Sequence, residues 1–107
     1  MSPEKRLVSR DVLRDVLVEV ETSLSLEPAH KSLCWLDEIE IGLWDAGPGA
    51  DADVEVDEVF LVLRGAGTLT IADGDTIELA PGVLVRLYAG DMTTWTITER
   101  LRKLYLA

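Results

Sequence analysis

A chain of 107 residues fits one domain and leaves no room for a second independent core. Its 48% hydrophobic content supports a packed interior rather than disorder. Twenty acidic against ten basic residues give a formal charge of −10, a surface that repels phosphate backbones and anionic membranes, so neither nucleic acid nor a membrane is an expected partner. Cys34 is the only cysteine, which excludes an intrachain disulfide, a zinc ribbon and a CxxC redox pair. No apolar run approaches the roughly 20 residues needed to span a bilayer. Met1 to Arg6 lacks the features of a signal peptide, so a cytoplasmic location is expected. A domain of this size hides only about two-thirds of its unfolded surface. A second copy of the chain often covers what is left, and a homodimer is expected.

Along the first twenty residues Val8, Val12, Leu13, Val16, Leu17 and Val20 recur at helical spacing, behind the helix-start residues Ser2 and Pro3. Val16, Val18 and Val20 also alternate, so this extension (residues 1–31) reads as a short helix or a strand leading into a barrel over residues 32–107. Ile39, Ile41 and Leu43 alternate with Glu38, Glu40 and Gly42, the period of a half-buried strand, which Asp45-Ala46-Gly47-Pro48-Gly49 then breaks. Val59 to Leu63 is a continuous apolar run closed by Arg64-Gly65-Ala66-Gly67. Thr68 to Ile71 and Thr76 to Leu79 flank Asp73-Gly74, a strong hairpin signal. Val83 to Leu87, Thr94 to Thr98 and Lys103 to Leu106 supply three further short strands. Turns at such short intervals are those of an all-β sandwich or barrel. The chain has no internal repeat, low-complexity segment or interior linker.

The segment from Gly42 to Leu106 resembles the cupin superfamily, in particular the small cupins similar to the ureidoglycine aminohydrolase domain and the ethanolamine-utilisation cupins. The family's first motif ends in glutamate, six residues and glycine, and Glu58 and Gly65 stand at that spacing. In the second motif Gly82 and Gly90 are in place, with Tyr88 at the proline position and Thr93 at the histidine position. Gly42-Leu43-Trp44, Pro48-Gly49, Trp95 and Arg102-Lys103-Leu104-Tyr105 match features of this subgroup. Val83 replaces the usual aspartate of a turn. The resemblance implies an all-β, cupin-type jelly-roll barrel.

Metal-dependent cupins bind a first-row ion through histidines of both motifs and the first-motif glutamate. This chain has one histidine, His30, before both motifs, so that site cannot be assembled and no metal or other cofactor is expected. Asp51 and Asp53 fall near the first-motif histidine positions and with Glu58 suggest an all-oxygen site for calcium or magnesium. The preferred reading of Asp51, Asp53, Glu55 and Asp57 is a solvated acidic loop. Glu58 is the one candidate catalytic group, a general base if burial raises its pKa; otherwise it is a structural carboxyl bonded to a backbone amide or to Thr93.

Trp44, Glu58, Phe60, Arg86, Thr93 and Trp95 make up the candidate ligand pocket, although aromatics in a barrel serve equally as core. Arg86 suits a carboxylate ligand or, more commonly, solvent and a neighbouring acid. His30 reads as a surface or loop residue and Cys34 as a small buried side chain. A metal-independent module holding a small molecule in the barrel is the preferred function. The alternative is an enzyme of the aminohydrolase-like cupin type, acting on a small amide, amine or sugar. That alternative rests on fold analogy alone.

Overall fold

The computed structural model describes residues 6–19, 26–72 and 74–107. Ser2, Pro3 and Val20 of the N-terminal pattern, and Asp73 of the hairpin signal, lie outside these residues. Eight strands follow in chain order: β1 (Val18–Glu19), β2 (Ala29–Leu36), β3 (Ile39–Ala46), β4 (Gly49–Val54), β5 (Glu58–Ile71), β6 (Thr76–Leu79), β7 (Leu84–Leu87) and β8 (Met92–Leu106). Among the described residues there is no helix; residues 6–17 run as an irregular arm with a turn at 12–14.

All pairings are antiparallel, and the two longest strands are each shared by two sheets. The first half of β5 and the second half of β8 pair with each other, flanked by β7 on one side and β3, β2 and β1 on the other. The second half of β5 pairs with the first half of β8, flanked by β6 and β4. One pair of strands thus passes through a corner and serves both faces of a sandwich.

The corner explains why Arg64-Gly65-Ala66-Gly67 reads as a break but is not one. Register shifts occur between Val62 and Arg64, Arg64 and Ala66, and Ala66 and Gly67. Inward-facing residues are even-numbered before it (Phe60, Val62) and odd-numbered after it (Leu69). Bulged residues bend a strand and reset its parity without ending it. The same bend joins the two predicted C-terminal strands into the single β8. Two more differences concern β4, which occupies the expected acidic loop, and the Gly47-Pro48 turn, which delays the end of β3 only to Ala46.

Between the sheets lies one core: Phe60, Val62, Leu69, Leu79, Val85, Leu87, Trp95, Ile97 and Leu101 are all buried. The opposite face of the first sheet carries Leu61, Leu104 and Leu43 in one cross-strand row and Val59, Leu106 and Ile41 in the next.

Candidate functional site

The inward alternation of β8 places Trp95, Lys103 and Tyr105 on the barrel interior, and the parity of β5 sends Glu58 and Phe60 to the same side. β3 adds Trp44, β2 adds His30, and β4 adds Asp51 and Asp53 at the rim. All of these side chains except Phe60, with Leu26, Pro28 and Glu55, line a cavity of about 210 Å³.

Its floor is an ion pair. Lys103 Nζ lies 2.6 Å from Glu58 Oε2, and the two side chains are 7% and 11% exposed. Three aromatic rings surround the ammonium: Phe60 at 4.6 Å, Trp95 at 4.8 Å and Trp44 at 5.0 Å to the ring centroids. Trp44 and Trp95 are themselves tilted against each other at 5.5 Å, and Phe60 meets Trp95 at 5.4 Å. The negative ring faces favour a cation that burial has stripped of water. Lys103 could be placed on the barrel interior from the alternation of β8, but only the closure of the barrel brings it to Glu58.

A second carboxylate is fixed beside this pair. Glu55 is buried, and its Oε2 accepts from Thr93 Oγ1 at 2.8 Å and from Trp95 Nε1 at 3.1 Å. Its backbone bonds in both directions with the turn before β8, to Asp91 O and from Gly90 N. The expected solvated acidic loop is therefore corrected: this stretch is a paired strand followed by an engaged carboxylate. Asp51 Oδ2 accepts the Leu26 amide at 3.0 Å, and Asp53 accepts the amide of its neighbour Val54. Thr93, expected as a structural partner of Glu58, serves Glu55 instead.

The remaining sequence candidates separate clearly. Trp44, Glu58 and Trp95 line the cavity, while Phe60 lies beneath them, fully buried. Arg86 is outside it, on a strand of alternating exposure, paired with Asp57 at 3.2 Å and lying over the Tyr88 ring at 4.1 Å. His30 sits on β2 rather than in a loop, with the partly exposed side chain expected of a surface residue (43%); it lines the cavity and stacks on Tyr105 at 5.9 Å, with Glu40 at 3.8 Å. Cys34 is half-buried.

These donors do not suit a transition metal or a hard cation. Glu58 already holds the Lys103 ammonium, whose charge opposes a second cation at close range. His30 faces Glu40, and among the described residues no three His, Cys, Asp or Glu side chains converge as a ligand set.

Tyr105 shapes the wall beside His30, and Gly42 makes room for it: a Cβ there would sit 2.4 Å from the phenol oxygen. Burial pushes the Tyr105 phenol above the usual tyrosine range, reinforced by the charge and hydrogen bond of Glu40 and by the charge of Glu58. The folded chain then keeps a proton that the unfolded chain releases near the ordinary value of about 10, so stability falls as pH rises beyond that point. Urea melts across this range are expected to decline less steeply for Tyr105→Phe than for the wild type. Identical alkaline slopes would show that the phenol ionises as freely in the fold as in the unfolded chain.

Two antiparallel sheets that share their longest strands and close over an aromatic cavity define a jelly-roll barrel of the cupin class. Matching the EutQ-like cupin domain over residues 36–105, more than half its length, the chain belongs to that family. Among solved structures, a protein of unknown function from Rhizobium leguminosarum is 26% identical, with 99% of this chain and 96% of that one covered and a TM-score of 0.70. The ethanolamine utilization protein EutQ from Salmonella typhimurium is 16% identical, covering 85% of this chain and 76% of its own at a TM-score of 0.71. The Clostridium difficile EutQ protein is 20% identical, with coverage of 82% and 73% and a TM-score of 0.68. No curated protein matches the chain.

Proposed function

We propose that this barrel is a metal-independent binding module that holds a small polar molecule in the cavity above Lys103 and Glu58. The observation that carries the reading is the ion pair itself. Removing two charges from water costs several kcal/mol per ion, and apolar residues fill a core of the same volume at least as stably. An ion pair kept beneath an open aromatic cavity gives a ligand both a donor and an acceptor to recognise. The enzyme reading, with Glu58 as general base on a small amide, amine or sugar, has weaker support. Glu58 Oε2 is engaged by Lys103, which would have to move before that oxygen took a proton.

The test is a titration of uniformly 15N-labelled protein with small amides, amines, sugars and carboxylic acids. A binder should shift the Trp95 indole N–H saturably, and Trp44→Ala should weaken it at least tenfold. If no compound of any class moves that resonance, the binding reading fails. Plasma mass spectrometry of the purified protein should find no first-row metal near one per chain.

The second copy expected from the sequence belongs to the same proposal. Val59, Leu61, Leu104, Leu106 and Ile41 form an uncharged, partly exposed patch bordered by Arg86 and Lys31, with Leu43 already covered by the chain itself, and Leu84 beside it is 67% exposed. Two chains of charge −10 meet at least electrostatic cost across such a face. A dimer by light scattering that dissociates with Leu61→Glu is expected; a wild-type monomer at micromolar concentration excludes it. The acidic surface supports the absence of nucleic-acid and membrane partners, and the lone cysteine fits a cytoplasmic setting.

A further inference from the structure

Ten lysines and arginines are spread through a strongly acidic chain, yet three of them converge on one buried carboxylate outside the barrel. Asp45 faces away from the core at the end of β3, with a side chain 4% exposed. Arg102, 6% exposed, donates from Nε to Asp45 Oδ2 at 2.9 Å and from Nη1 to Val12 O at 2.9 Å. These two residues form a neutral unit that also pins the N-terminal arm. The unit needs no further cation.

Two more arrive nonetheless. Arg100 Nε lies 2.7 Å from Asp45 Oδ1, and Arg64 Nη2 lies 3.4 Å from Oδ2. The corner that bends β5 and β8 brings them there, with Arg64 opposite Arg102 in register. The Arg100 contact is an ion pair without hydrogen-bond alignment, so Oδ1 accepts no hydrogen bond. Both side chains are about half exposed, at 46% and 48%. Among the described residues neither has another ion-pair partner. Three guanidinium groups and one carboxylate leave a local charge of about +2 on a chain of −10.

Guanidinium groups present N–H pairs at the spacing of oxyanion oxygens, and two of them, each about half exposed, are gathered at one anchored carboxylate. We infer that Arg64 and Arg100 form an external site for a small oxyanion, distinct from the barrel cavity. The recognised chemistry is that of a phosphoryl or carboxylate group. A doubly charged anion matches the local charge and is preferred.

The test follows the arginine Nε–H resonances of labelled protein during titration with inorganic phosphate, with ionic strength held constant by sodium chloride. Arg64 and Arg100 should shift saturably, and Arg64→Gln or Arg100→Gln should weaken binding at least tenfold. Arg102 still pairs Asp45 in either variant, and a cooperative melt confirms the fold. A parallel acetate titration distinguishes the sources: saturation by phosphate alone assigns a phosphoryl site, and comparable saturation by acetate assigns a carboxylate site. Shifts no larger than those from chloride alone, or binding that survives in the Arg64→Gln/Arg100→Gln double variant, would overturn the inference.

Discussion

Gly65→Ala should destabilise the barrel by about 3–5 kcal/mol, combining a strained backbone with overpacking. Gly65 has φ +96°, where a side chain is strained whatever the space around it. Space is lacking as well: a Cβ would stand 2.4 Å from Arg100 O and 2.5 Å from Leu101 Cα. Both obstacles are backbone atoms of the paired strand, which cannot rotate aside as a side chain does. Relief requires β5 and β8 to separate at the corner where they pass from one sheet to the other. For a domain near 100 residues each kcal/mol lowers Tm by roughly 4–8 °C, so calorimetry should register a fall of about 15 °C or more, or no cooperative transition. Gly82→Ala is the matched control: its φ is +95° but nothing lies within 4 Å, so it tests strain without the clash. Equal losses at the two positions would remove close packing at the corner from the explanation.

The second large effect is expected at the ion pair. Glu58→Gln leaves the Lys103 ammonium buried without its counter-charge, and Lys103→Met leaves the carboxylate in the same condition. Each single change should cost about 3–5 kcal/mol, because an uncompensated buried charge is the penalised state. Replacing both removes the charges together, so the double variant should lose at least 1 kcal/mol less than the sum of the singles. Denaturant melts of the four proteins close the cycle. Additive losses would mean that the two groups do not interact, and the floor of the proposed binding site would lose its basis. Should the singles fail to fold, an intact double variant still shows the coupling.

Much of the fold was legible in local chemistry. Thr68 to Ile71 and Thr76 to Leu79 pair as β5 and β6 around the Asp73-Gly74 signal, with Thr70 opposite Thr76, because alternation and a glycine turn are short-range properties. Gly74, at φ +130°, is the glycine such a turn requires. Parity also placed Phe60 on the same side of β5 as Glu58. Less legible was what happens where periodicity fails. Arg64-Gly65-Ala66-Gly67 carries the residues of a turn, and only the partner strand decides whether they end a strand or bend it. The acidic run from Asp51 to Asp57 likewise resembles a solvated loop, because pairing of β4 with β8 is a long-range event.

By itself, the sequence determined an all-β barrel, the absence of a histidine metal site, and aromatic side chains together with Glu58 on the interior. The all-β pattern and the lack of motif histidines follow from composition and strand period, which act within a few residues, whereas the barrel and the inward place of Glu58 were implied by the cupin resemblance. Tertiary structure alone decided the partners of the charges: Lys103 for Glu58, Thr93 and Trp95 for Glu55, and three arginines for Asp45. Those contacts join residues 19 to 57 positions apart, and an ion pair carries no periodic trace in either of the strands that it joins. A buried charge reveals its partner only when the barrel closes and water is no longer there to solvate it.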